Sequence, residues 1–225
     1  MISEKGIEPN PDKIQALLMM KLPNCYKDVE KFTGCLAALN HFISKSGERN
    51  LPFFKTLKRM SKEKFYWDEE SDMAFQQLKK YLGSPQLLSR PESGETLQIY
   101  LVISDVAVSS SLLVREADLI QKPIYYVSHV LRGAEERYPI IDKAALALIT
   151  STRKLKAYFE SHHFQVITDQ PLKRVMTSPA LSGRLTTWAV ELSEFKITYH
   201  PRTSMKAQAL ADFVMEYTAQ PSTPS

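Results

Sequence analysis

LQIYLVIS (97–104), VAVSSSLLV (106–114) and KPIYYVS (122–128) decide the fold. Each run is short and β-prone, and turn-like or polar residues separate it from the next, the pattern of three successive strands. Toward the C-terminus the spacing predicts a long helical stretch from about Glu135 to Phe159 and a strand at FQVIT (164–168). A helix from Pro171, a helix around Leu181–Leu192, a strand at FKITYH (195–200) and a last helix at KAQALADFVMEY (206–217) follow. The order βββαβααβα implies a mixed sheet with helices packed on it. The tail TAQPSTPS (218–225) is rich in Pro, Ser and Thr and is expected to be disordered.

Toward the N-terminus the period changes. Met1–Ile7 reads as a strand remnant with a turn at Lys5-Gly6, and Pro11 suits the first turn of a helix through Ile14, Leu17 and Leu18. Pro23-Asn24 breaks that helix. Between Asp28 and Ser44, Val29, Phe32, Leu36, Leu39 and Ile43 recur at spacings of three and four, one apolar face of a helix. Pro52 opens a short segment, PFFKTLKRM. DEESDMAFQQLKKYL (68–82) then gives a helix with acids in its first turn and Lys79-Lys80 near its end, as the helix dipole favours. Ser89–Gly94 reads as a linker. The expected class is therefore α+β: a small helical region over 1–90, then a mixed sheet flanked by helices over 95–217.

Composition bounds the function. The 225 residues are 44% hydrophobic and 24% charged, which excludes a wholly disordered chain. No apolar run approaches the roughly 20 residues of a membrane helix. MISEKGIEPNPDK has no apolar segment of a secretory signal, so an intracellular setting without a membrane is expected. Cys25 and Cys35 support neither a disulfide framework nor a zinc site; they read as a loop side chain and a small buried hydrophobe. The net charge of +4 falls entirely in residues 1–90, with fifteen basic against eleven acidic residues.

Much of that excess lies between Lys45 and Lys64, where Arg49, Lys55, Lys58, Arg59 and Lys62 interleave with Phe53, Phe54, Phe65 and Tyr66. Two readings stand. One is a solvated surface over a Phe-lined core; the other is contact with the phosphates of a duplex, which releases counterions without reading sequence. Lys173, Arg174 and Arg184 form a thinner second patch. Trp188, at helical spacing with Leu185 and Leu192, reads as core, and His162-His163 as loop residues.

Word-like motifs now matter together. GIEPNPDKI, DVEKFTGCLAALNHFIS and LPFFKTLK, in that order, resemble the thumb of a gypsy-like LTR-retrotransposon reverse transcriptase. FYWDEESDMAFQQLKKYLGSPQLLSRP resembles the stretch that ends the thumb. KPIYYVSHVL, ERYPIIDKAALALI, ITDQPLKRV, LSGRLTTWAVELSEFKITYHPR and KAQALADFV resemble the RNase H-like domain of plant elements of that class. The likeness covers almost the whole chain. It implies a fragment of a pol polyprotein whose partners are an RNA–DNA hybrid or template–primer duplex and the remaining pol domains: palm, downstream RNase H and integrase. The Tyr-x-Asp-Asp turn at which such enzymes polymerise does not occur here. The chain reads as starting within the last palm hairpin, at Met1–Glu4, so polymerase activity from it alone is not expected.

RNase H chemistry uses two Mg²⁺ ions held by carboxylates, and the resemblance implies four positions for them. The first holds Val102 and the second Ala144, where the family has Asp and Glu. The third and fourth keep their carboxylates, Asp169 in ITDQP and Asp212 in QALADFV. Asp169 also suits the cap of the helix from Pro171, and Asp212 a solvated helix position. Asp105, three residues beyond Val102 on a strand, and Asp142, about 200° around the helix from Ala144, are poorly placed substitutes. The expectation is a connection-like module contacting nucleic acid, with Asp169 and Asp212 holding a metal weakly if at all. No cofactor is expected beyond Mg²⁺ for residual nuclease activity. An active hybrid ribonuclease and a co-opted relic are the alternatives.

Overall fold

The computed structural model describes residues 2–3, 6–59, 64–84, 87–115, 121–178 and 183–202. Lys62, Asp212, the turn residue Lys5, the last helix and the C-terminal tail lie outside them. The chain opens with β1 (Ile2–Ser3) paired antiparallel to β2 (Gly6–Ile7). Four helices follow: α1 (Pro11–Met19), α2 (Tyr26–Leu39), α3 (Ser46–Arg59) and α4 (Glu69–Gly83). Asn10 caps α1 by accepting from the Asp12 amide at 2.9 Å, with Pro11 in the first turn. The apolar face read from spacing is the buried face of α2 and the turn after it: Val29, Phe32, Leu36, Leu39 and Ile43 are all at most 2% exposed.

These helices enclose an aromatic centre. The Phe32 ring lies 4.9 Å from both Phe53 and Phe75, and Trp67 stacks on Phe53 at 6.0 Å. Asp68 caps α4, its Oδ1 accepting from the Ser71 amide at 2.8 Å. The side-chain and backbone hydrogen bonds from Ser71 hold the Asp68 carboxyl below the usual aspartate range. Asp68→Ala should cost about 1 kcal/mol. Because the folded value is depressed, the cap's contribution is fully present above the unfolded aspartate value and is lost as pH falls through the folded one. Urea midpoints of wild type and variant should therefore differ at pH 7 and converge in strong acid.

The second part is a five-stranded sheet built from β3 (Thr96–Ile103), β4 (Ala107–Arg115), β5 (Gln121–Val130), β6 (His163–Ile167) and β7 (Ile197–His200), in the order β5-β4-β3-β6-β7. β3–β4 and β4–β5 are antiparallel, whereas β3, β6 and β7 run parallel. Parallel neighbours need crossovers. α5 (Ile140–Lys154) and α6 (Lys156–Ser161) carry the chain from β5 to β6, and α7 (Leu172–Met176) and α8 (Arg184–Ser193) from β6 to β7. Leu97, Ile99 and Leu101 of β3 face α5 and share one core with Ala144, Leu148, Phe164 and Trp188. The alternate residues Tyr100, Leu113 and Ile167 cluster separately. No helix among the described residues is long and apolar enough to cross a membrane.

Four local expectations change. The stretch from Glu135 is not one helix: a 3₁₀ turn at Gly133–Arg137 precedes Pro139, which starts α5, and Leu155 breaks the path into α6. Pro52 does not open its segment but sits inside α3, which begins at Ser46. Asp169 does not cap α7, whose N-cap is Pro171 with no side-chain bond. His163 is a strand residue, its Nε2 3.2 Å from Thr198 Oγ1.

The helical part is seated on the sheet. Tyr126 of β5 is 2% exposed and belongs to the helical core. The Gly47 amide donates to Ser128 Oγ at 2.9 Å, and Ser128 Oγ lies 2.8 Å from Ser109 Oγ. A Cβ at Gly47 would stand 2.6 Å from that hydroxyl and 3.2 Å from Val130 Cγ2, so only glycine permits this approach. The Ser89 amide donates to Pro123 O at 2.7 Å, and Leu88 bridges to Ile7. The linker-like stretch is thus tied at its start to β5.

Candidate nucleic-acid interface and strand-end site

α3 places Lys55, Lys58 and Arg59 at i, i+3 and i+4, one outward stripe of a helix whose inner side carries Phe53 and Thr56. Lys55 Nζ is 3.1 Å from Glu70, and Arg59 lies 3.6 Å from Asp68 and 5.7 Å over the Tyr66 ring. These are solvent-exposed pairs, which water screens strongly. Lys58 is exposed. Phe54, Phe65 and Tyr66 are 38–40% exposed beside the stripe. Between α3 and the end of the sheet runs an open cavity of about 650 Å³, lined by Phe54, Lys58, Val106 and Arg132 among others.

Arg49 does not join this surface. Its Nε donates to Ser44 O at 3.0 Å, its guanidinium lies 4.6 Å over the Tyr81 ring, and burial pushes its proton affinity down. It pins the 40–46 turn to α4. Arg184 is also engaged: it reaches Asp142 at 2.5 Å and stacks 3.7 Å over Tyr138. Lys173 and Arg174 remain exposed on α7. Sequence reasoning could count these cations but could not separate buried from outward ones within a run of mixed aromatics.

The three parallel strands end at one edge. β3 and β6 pair through Tyr100 and Ile167. Two residues further on, Val102 still pairs with Ser109 of β4, whereas Asp169 lies past the end of β6. Ala144, in the second turn of α5, is fully buried in the apolar core. Asp169 is exposed on its own side, and its Oδ1 accepts from the Arg202 amide at 3.2 Å. The Arg202 side chain turns back across the strand ends. Its Nη2 donates to Leu101 O, and its Nε stands 3.9 Å from Asp169 Oδ2. Arg202 gave no sequence signal, because it lies 33 residues from Asp169 and 101 from Leu101. Asp105 is exposed on the β3–β4 turn, and Asp142 is committed to Arg184.

Mg²⁺ takes oxygen ligands. Neither Val102 nor Ala144 carries an oxygen on its side chain, and the Asp169 carboxylate is already engaged by Arg202. Among the described residues no group of three or more His, Cys, Asp or Glu side chains could hold a metal ion. The residues described here do not fit a two-Mg²⁺ centre.

Comparison with known proteins shows what the second part is similar to. Residues 92–195 match the family described as the RNase H-like domain found in reverse transcriptase. The matched segment holds β3 to β6 and α5 to α8. Across 96% of the chain, the Tf2-3 and Tf2-4 transposon polyproteins of Schizosaccharomyces pombe are 30% identical over 223 residues. The chain spans 17% of the length of these relatives. Two solved structures share the fold over 90% of the chain: foamy viral protease–reverse transcriptase with double-stranded DNA, at a TM-score of 0.75, and with an RNA/DNA hybrid, at 0.74. Both are 18% identical to this chain, so they speak for the fold alone.

Proposed function

We infer that this chain is the thumb and a connection-like, catalytically degenerate RNase H-like domain of an LTR-retrotransposon pol protein, and that it grips a template–primer or RNA–DNA hybrid without cutting it. The observation that supports this reading is that Arg202 engages Asp169 at the strand ends, beside the resemblance by which Val102 and Ala144 take two ligand positions of the family. The helical region over 1–90 is the thumb in this reading. Its contact surface is the Lys55–Lys58–Arg59 stripe, with Lys62 beside it in sequence and Lys173 and Arg174 as a second point of contact. The foamy viral reverse transcriptase of the same fold is found with double-stranded DNA and with an RNA/DNA hybrid, which supports a duplex as the ligand here. Palm, downstream RNase H and integrase are its partners in the parent polyprotein. The motif order around ERYPIIDKAALALI and ITDQPLKRV favours a gypsy-like plant element as the source.

Binding of a fluorescent RNA–DNA hybrid across a salt series tests the contact. Each phosphate neutralised contributes about −0.9 to the slope of log K against log salt. Replacing Lys55, Lys58 and Arg59 together by alanine should weaken binding and flatten that slope by about 2 to 3. An unchanged slope would move the contact elsewhere, and no wild-type binding at low salt would leave a folded relic.

A further inference from the structure

We propose that the guanidinium of Arg202 takes the place of the divalent cation at the strand ends, as a resident and permanent counter-charge, so that the domain is built to hold its shape without metal. The proposal rests on the degenerate-site reading above and adds to it what fills the site.

Three parallel strands bring three kinds of group to one edge: the Leu101 carbonyl beside Val102 on β3, the Asp169 carboxylate after β6, and Arg202 two residues past β7. In a metal-dependent site of this kind, divalent ions offset the repulsion of clustered carboxylates and tie the strand ends together. Here one side chain does both. The Arg202 backbone amide donates to Asp169 Oδ1 at 3.2 Å, Nε approaches Oδ2 at 3.9 Å, and Nη2 donates to Leu101 O. The result is a link from β7 through β6 to β3. The Arg202 side chain is 28% exposed, well covered for an arginine, and its Nε is buried without a hydrogen bond of its own. That geometry is of a cation held for its charge and its reach.

The chemistry of the replacement is consistent. Arginine carries its charge at every physiological pH, and its planar fork spans two acceptors at once. Among the described residues it delivers one positive charge against one carboxylate at this edge, Asp169, where two Mg²⁺ ions would deliver four. A Mg²⁺ ion arriving at Asp169 would have to displace a tethered, always-charged competitor. The substitutions at the ligand positions and the arginine therefore belong together: losing carboxylates removes the need for metal, and the arginine closes the gap.

Two measurements on the intact chain test this. Titration of the wild type with Mn²⁺, read by the paramagnetic resonance of the free ion, should show no binding tighter than millimolar, and its Tm should shift by less than 1 °C between EDTA and 10 mM Mg²⁺. Arg202→Gln, which keeps a donor but loses the charge, should lower Tm by about 3–6 °C in either buffer, while Arg202→Lys should recover part of that loss. Submillimolar Mn²⁺ binding by the wild type, a Mg²⁺-dependent rise in its Tm, or an Arg202→Gln variant as stable as wild type would overturn the assignment. The Mn²⁺ titration needs no variant, so misfolding of Arg202→Gln leaves the proposal open to refutation. Hybrid cleavage by the wild type would instead refute the degenerate-site reading. Metal binding without cleavage refutes the arginine assignment alone.

Discussion

Phe32→Ala should destabilise the chain by about 3–5 kcal/mol. Phe32 is 1% exposed and lies at the point where α2, α3 and α4 meet, its ring edge-on to Phe53 and tilted against Phe75, both at 4.9 Å. Truncation removes the transfer free energy of the ring and leaves a void walled by two aromatic rings fixed from other sides. Those walls cannot collapse into it, because Phe53 is also held by Trp67 and Phe75 by the Trp67 edge. With a urea slope of about 2–3 kcal/mol/M for a chain of this size, the midpoint should fall by about 1.5 M. A fall below about 0.3 M would mean that the three helices do not share the core described.

Tyr126→Ala should have a comparable cost and a different signature. Tyr126 is rooted in β5, whose Ile124 and Val127 belong to the sheet core, yet its side chain packs into the helical core. The chain has two tryptophans, Trp67 in the helical part and Trp188 in the sheet part. Single-tryptophan forms, Trp188→Phe and Trp67→Phe, therefore report each part separately. In the wild-type background their unfolding midpoints should coincide. In Tyr126→Ala the Trp67 signal should move to lower urea, because the small helical core loses the buried aromatic ring that the sheet contributes to it. Coincident midpoints in the variant would show that Gly47, Ser128 and Ser109 couple the parts without it.

What could be read in the sequence and what could not follow from the range of the interactions. Val29, Phe32, Leu36, Leu39 and Ile43 announce a helix face because the signal is local and periodic. LQIYLVIS, VAVSSSLLV and KPIYYVS announce strands for the same reason. The start of α3 was hidden. Its first turns present Ser46, Gly47 and Asn50 to the interior, and polar residues are buried there only because the serine-lined face of β4 and β5 meets them. Read alone, SGERN has no apolar period, and Pro52 looks like a beginning. Asp169 looked like a cap because Pro171 follows it; its partner is instead Arg202, supplied by the end of another strand. The resemblance names ligand positions, but the contact of Arg202 with Asp169 comes from the end of another strand and has no signal in the sequence. Arg49 shows the same limit on the basic surface, since Tyr81 removes it from solvent through a contact that no spacing rule contains.

The central claim is that this domain holds a hybrid and does not cut it. The most direct measurement incubates an end-labelled RNA–DNA hybrid with excess purified chain in Mg²⁺ and in Mn²⁺, beside an Asp169→Asn control, and follows the RNA strand on a denaturing gel. The expected result is full-length RNA at every time point in both metals, from protein shown to have bound the hybrid. Metal-dependent cleavage that disappears in Asp169→Asn would contradict the account and make the chain a ribonuclease.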